Sequence, residues 1–135
     1  ELSSFSLAYL GDAFFELWCR QKILQRLKNR RLVHLHVVQW VRCQTQSRLA
    51  QLIQPLLHIE EEKIYRQGRN SKTISPPKNA TIKDYRAATG FECLVGYWYL
   101  EKQTKRFEEL MNLSEIVEYL ESVMPVRKNS FTNAA

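Results

Sequence analysis

Two acids stand where their surroundings do not suit them. Asp12 follows Gly11 in "LAYLGDAFFE", residues 7–16, a stretch with the apolar spacing of a helix. Gly costs about 1 kcal/mol against Ala in a helix interior, and Asp competes there for backbone groups. Glu92 follows Phe91 and precedes "CLVGYWY", an almost wholly apolar half-helix. A half-buried acid needs a partner, a proton or a metal. With 20 Lys and Arg in the chain, each acid can pair with a basic side chain such as Arg20 or Arg86. The other reading puts both acids in one site. Mg²⁺ prefers oxygen ligands, keeps several waters and is held by one or two carboxylates. Such an ion positions water, polarises a phosphoryl oxygen and steadies the leaving oxygen of a phosphodiester. Glu16 lies one turn after Asp12, and pairing with Arg20 at i+4 is preferred over reaching an ion through water.

A second constellation suits a polyanion. "RNSKTISPPKNAT", residues 69–81, is polar, basic and broken by Pro76-Pro77. It is the longest loop the pattern allows. Arg69, Lys72 and Lys78 bring positive charge, and Asn70, Ser71, Thr73 and Asn79 bring small hydrogen-bonding groups. Tyr85 and Arg86 follow in the first turn of the next helix, near N–H groups that attract phosphate. Composition alone leaves a merely solvated loop equally open. The net charge of +6 and pI of about 9.4 lean the same way, toward a polyanionic partner. There is no Gly-rich phosphate cradle, P-loop or RNP-type aromatic motif. His34, His36 and His58 lack metal spacing and read as surface or cap residues. Cys19, Cys43 and Cys93 are an odd set without ligand spacing and read as reduced thiols of a cytosol-like compartment.

The elements that must position these groups are helical. The 135 residues suit one domain, and Gly and Pro number only four each. Ser3 or Ser4 can cap a first helix, along which Leu7, Leu10, Phe14, Leu17 and Leu24 recur. A second pattern from Val33 to Leu56 is interrupted by "RCQTQSR", giving two helices or one with a break. "IEEEKIYRQG" is a short charged helix, with Gly68 a natural stop. Thr81 to Asp84 resembles a capping box before a long helix through Ala88, Phe91, Val95 and Trp98. Asn112 and Ser114 mark a break in the last segment. No period-2 stretch and no bilayer-length apolar run occurs. The expectation is an all-α domain of about five to seven helices over residues 1–124, with a disordered tail over 125–135. The chain begins with Glu, so a targeting peptide could have been trimmed.

These pieces join in a resemblance. "LAYLGDA" resembles the signature of the ribonuclease III family, where "LEFLGD" supplies a catalytic Asp. "FECLVGY", Phe91 to Tyr97, resembles that family's second acidic motif, "VEALIG". "GRNSKTISPPKNATIKDYRAATGFECLVGY" is similar to the pattern "GRNAKS…PKN…YR.ST.FEAL.GY" of its Mini-ribonuclease III branch, which has the nuclease domain and no double-stranded-RNA-binding domain. The resemblance covers about residues 5 to 104. Full-size members carry two more acids, where this chain has Ala8 and Thr89; Thr89 also fits the branch.

The resemblance implies that Asp12 and Glu92 are the catalytic pair and bind Mg²⁺. It implies an antiparallel homodimer with the signature helix along its seam, where Gly11 would let two backbones approach and Tyr9 would pack into the partner. It implies endonucleolytic cleavage of double-stranded RNA in line, leaving 5′-phosphate and 3′-hydroxyl ends. Recognition would rest on shape, 2′-hydroxyls and phosphates, since A-form RNA hides its base edges. Arg69, Asn70, Lys72, Lys78, Asn79, Tyr85 and Arg86 would supply much of that contact. The branch implies maturation of large-subunit (23S) ribosomal RNA precursor in the bacterial cytoplasm, or in a plastid stroma if a transit peptide preceded the chain. A ribosomal protein that assists cleavage is a further partner the reading leaves open. Two rivals remain: a non-cleaving RNA-binding member of the same fold, and a basic helical adaptor whose acids only make salt bridges.

Overall fold

The Ser3 hydroxyl accepts a hydrogen bond from the Ser6 N–H at 3.1 Å and so caps the first helix, α1 (Ser4–Leu24). The structure is a computed structural model and describes residues 2–71 and 76–124. The tail expected over residues 125–135 lies outside the described residues. After α1 come α2 (Arg30–Val41), α3 (Cys43–Ile53), a 3-10 turn (Gln54–Leu56), α4 (Ile59–Arg69), α5 (Ile82–Leu100), α6 (Thr104–Met111) and α7 (Ser114–Ser122). The all-α expectation holds, with seven helices and no strand among the described residues.

Local chemistry accounts for most boundaries. Asn29 caps α2 by accepting from the Leu32 N–H at 3.1 Å. Arg42 is extended, with ψ 157°, and separates α2 from α3. "RCQTQSR" is therefore the break itself and then the start of a helix. Thr81 caps α5 by accepting from the Asp84 N–H at 3.0 Å. The Asp84 carboxylate accepts instead from the Ser47 hydroxyl at 2.8 Å, which ties α5 to α3. Gly68 does not stop its helix. It lies buried inside α4, where a Cβ would stand 2.7 Å from Cys93 Sγ and 2.9 Å from Gly90 Cα, so it serves the α4–α5 contact. The helix ends at Asn70 instead.

α5 is the central element, with α1, α3 and α4 packed around it. Phe15, Phe91, Leu94, Val95, Trp98 and Phe107 are fully buried there. The buried face of α1 is Leu7, Gly11, Phe15, Trp18, Cys19 and Ile23. Leu17 and Leu24, counted on the apolar stripe from spacing alone, are 53% and 52% exposed. The register is set by the glycine, because residues in line with Gly11 are the ones that face α5. His36, expected at the surface, is fully buried, with Nδ1 2.6 Å from the Leu32 carbonyl. A buried acid elsewhere shows what this fold does when it wants a carboxylate neutralised. Glu61, 3% exposed, accepts from Trp98 Nε1 at 2.8 Å and from Arg106 Nε at 2.9 Å. No helix among the described residues is long and apolar enough to cross a membrane.

Candidate active site

The site is built where α1 crosses α5. A Cβ on Gly11 would lie 1.8 Å from the Glu92 carbonyl oxygen, and one on Gly96 would lie 2.0 Å from the Leu7 carbonyl oxygen. Two glycines therefore let two helix backbones touch. This corrects the expected role of Gly11: the backbone it admits is that of α5 in the same chain, and Gly11 is buried by it rather than set at a seam between subunits.

The touching backbones bring their acids together. Asp12, the next residue of α1, and Glu92 line one cleft of about 290 Å³, and their carboxyl groups are within hydrogen-bonding reach of each other. Asp12 is exposed and Glu92 is half-buried. Among the described residues neither has a Lys or Arg nitrogen within 4.0 Å. Arg20, the salt-bridge candidate, pairs with Glu16, as preferred from the i+4 spacing. The pair lacks what Glu61 has. Burial, then the negative charge of Asp12, push the Glu92 carboxyl up to about 8; a hydrogen bond from the Gln46 amide opposes them.

A raised folded-state pKa means that the folded protein binds the proton more tightly than the unfolded chain. The wild type should therefore lose stability as pH rises from about 4.5 toward 8. Glu92→Gln removes that loss and can donate its amide hydrogens to Asp12. In chelator, thermal melts should show the variant equal to wild type near pH 5 and more stable by on the order of 2 kcal/mol at pH 9. Equal stability at both pH values would mean that Glu92 ionises without penalty.

The Ribonuclease III domain family matches residues 6–103. The chain belongs to the ribonuclease III family. It is similar to the Mini-ribonuclease 3 of Clostridium tetani, 41% identical over 115 residues, which span 84% of this chain and 76% of that protein. It is similar to the Mini-ribonuclease 3 of Symbiobacterium thermophilum, 39% identical over 111 residues, 82% of this chain and 85% of that one. A crystal structure of a Fusobacterium nucleatum protein superposes with TM-score 0.78 at 31% identity, over 83% of this chain and 87% of that chain. The chain falls in the Mini-ribonuclease III branch of that family and is an endoribonuclease.

In this ribonuclease III fold the remaining site residues fall into two groups. Ala8 and Thr89, which replace the acids of full-size members, line the same cleft. The Thr89 hydroxyl is turned back to donate to the Tyr85 carbonyl at 2.9 Å. Tyr85 and Ser71 also line it, so the end of α4 and the start of α5 reach the carboxylates. Arg69 stands over the Tyr65 ring at 5.8 Å and donates from Nε to Asn70 Oδ1 at 3.3 Å. Asn79 takes the left-handed φ of 69°, and its carbonyl accepts from Gln44 Nε2 at 2.8 Å, which pins the end of the loop to α3. Lys78 and Arg86 are exposed. Lys72 lies outside the described residues. Tyr9 is 71% exposed and stacks on Phe5 at 5.6 Å, at the rim of the cleft. Spacing did not single out Phe5 or the α3 residues Cys43 and Gln46. Cys43 lies close enough to Asp84 and Glu92 that burial, then those charges, raise its thiol pKa. No local signal marks a helix that arrives at a site through long-range packing.

Hard oxygen donors without a cationic partner, one of them forced toward protonation by burial and then by the other's charge, suit a divalent cation. Among the described residues no cluster of three or more His, Cys, Asp or Glu offers a cage. An ion here would keep most of its shell for water and substrate, which favours Mg²⁺ over cations that need an all-protein site.

Proposed function

We propose that the chain is a Mg²⁺-dependent endoribonuclease of double-stranded RNA that matures large-subunit (23S) ribosomal RNA precursor in a bacterial cytoplasm. One observation carries the reading: Asp12 and Glu92 converge, unneutralised, in an open cleft of a basic protein. Bound there, Mg²⁺ supplies positive charge to phosphoryl oxygens and acidity to a water. Asp12 and Glu92 hold it; Glu92 must give up its proton to do so. Arg69, Asn70, Lys72, Lys78, Asn79, Tyr85 and Arg86 are the proposed contacts for phosphates and 2′-hydroxyls. In-line attack leaves 5′-phosphate and 3′-hydroxyl ends. The ribosomal substrate rests on the branch resemblance, as does any assisting ribosomal protein.

The reading includes an antiparallel homodimer. Phe5, Tyr9, Leu17 and Leu24 form an apolar stripe on α1, 74%, 71%, 53% and 52% exposed. Tyr9 belongs to this seam; Gly11 does not. A second copy covering the stripe would continue the cleft beside Phe5 and Tyr9 and place two active sites on one duplex, one per strand.

Incubation with duplex RNA tests this. The RNA should be cut in Mg²⁺, with 5′-phosphate ends, and should be bound but whole in Ca²⁺. Intact RNA in both, with salt-sensitive binding, would make the chain a non-cleaving binder. No binding at all would make it an adaptor.

A further inference from the structure

Gln46 is 2% exposed, at the start of α3. Its Nε2 donates to the Val41 carbonyl at 2.7 Å. That carbonyl sits at the end of α2, where no intrahelical donor is available. The orientation of the amide is thereby set, because the reverse would press oxygen against oxygen. Its Oε1 has no hydrogen-bond partner among the described residues. The same amide lies near enough to the Glu92 carboxyl to lower its pKa. Buried side-chain acceptors are nearly always satisfied, so a fixed, orphaned oxygen beside the acids calls for an explanation. Its neighbours already have uses: Gln44 holds the end of the loop, Thr45 donates to the Gln39 carbonyl at 2.6 Å, and Ser47 holds Asp84.

We propose that Gln46 is a positioning residue of the site: it fixes the Glu92 carboxyl, and its Oε1 accepts a hydrogen bond from a water held with the cation. The inference rests on the metal reading above. A neutral acceptor suits the place, since a third carboxylate would add charge to a pair already in conflict. The α2–α3 break is then functional, because it supplies the carbonyl that locks the amide.

Mn²⁺ binding, followed by calorimetry and by the EPR signal of the free ion, tests it without cleavage. Wild type should bind Mn²⁺ and Asp12→Asn should not. Gln46→Met, similar in volume but without the acceptor, should bind about tenfold more weakly. Its affinity for duplex RNA in chelator should be unchanged, and its melting temperature in chelator should fall only modestly, because the Val41 carbonyl loses its donor. Gln46→Asn leaves the amide one methylene short of its place and should also bind more weakly; it serves if the Met variant fails to fold. Thr45→Val removes a neighbouring hydrogen bond, to the Gln39 carbonyl, and should bind as wild type does. Wild-type affinity in Gln46→Met overturns the proposal. So does an equal loss in Thr45→Val, which would make the effect one of stability alone, or wild-type affinity in Gln46→Asn. A wild type that binds no Mn²⁺, or binds it regardless of Asp12, removes the metal reading and this inference with it.

Discussion

Asp12→Asn should lower duplex cleavage in Mg²⁺ by about a thousandfold, the consequence of losing several kcal/mol of charge stabilisation at the phosphoryl group. The change is small in every other respect. Asn keeps the size of the side chain, and Asp12 is exposed, so no packing is lost. The Glu92 carboxyl loses its second source of strain, the adjacent charge, and its pKa should fall back toward the usual carboxylate range. The melting temperature in chelator should therefore hold or rise. Duplex RNA should bind as well or better, because one negative charge facing the phosphates is gone. The measurement is a single-turnover cleavage rate beside a filter-binding isotherm. A variant that keeps more than a few per cent of the rate would show that Asp12 is not what holds the ion, however close it lies to Glu92.

What local chemistry decides was readable beforehand. Ser3 and Thr81 cap helices because their hydroxyls reach a backbone N–H three residues on, and such reach is a property of sequence. The two acids stood out beforehand because Asp12 breaks helix propensity beside Gly11 and Glu92 puts a charge at the head of an apolar half-helix, and such conflicts collect at functional sites. Long-range packing was not readable. Gly11 announced a close approach but not which backbone approaches. Leu17 and Leu24 matched a helical stripe, yet a glycine contact turned α1 so that Phe15 and Ile23 went inward. Gln46 had no motif at all; its meaning comes from a carbonyl on α2 and a carboxyl on α5. His36 was misplaced for the same reason, since one imidazole in a mixed segment does not reveal which side of its helix meets the core.

Gly11→Ala should destabilise the protein by 3 kcal/mol or more, a large share of the 5–15 kcal/mol of a typical domain. Helix propensity alone argues the other way, since Ala would gain about 1 kcal/mol over Gly in a helix interior. The crossing decides it. A Cβ at 1.8 Å from the Glu92 carbonyl oxygen and 2.8 Å from the Gly96 nitrogen meets backbone, which has no rotamer to change. Two core helices must part instead, and Phe15, Phe91 and Val95 lose their packing as they do. Gly96→Ala, at 2.0 Å from the Leu7 carbonyl oxygen, should cost a similar amount. Denaturant melts at two protein concentrations separate this from a role between subunits. An intrachain clash lowers the midpoint equally at both, whereas a lost subunit contact would lower it more in the dilute sample. Cleavage should fall further than the folded fraction alone accounts for, because the displaced carbonyl belongs to Glu92, and the carboxyl that must meet Asp12 moves with it. An Ala variant as stable as wild type would mean that α1 and α5 do not cross here, and the paired acids would lose the scaffold that unites them.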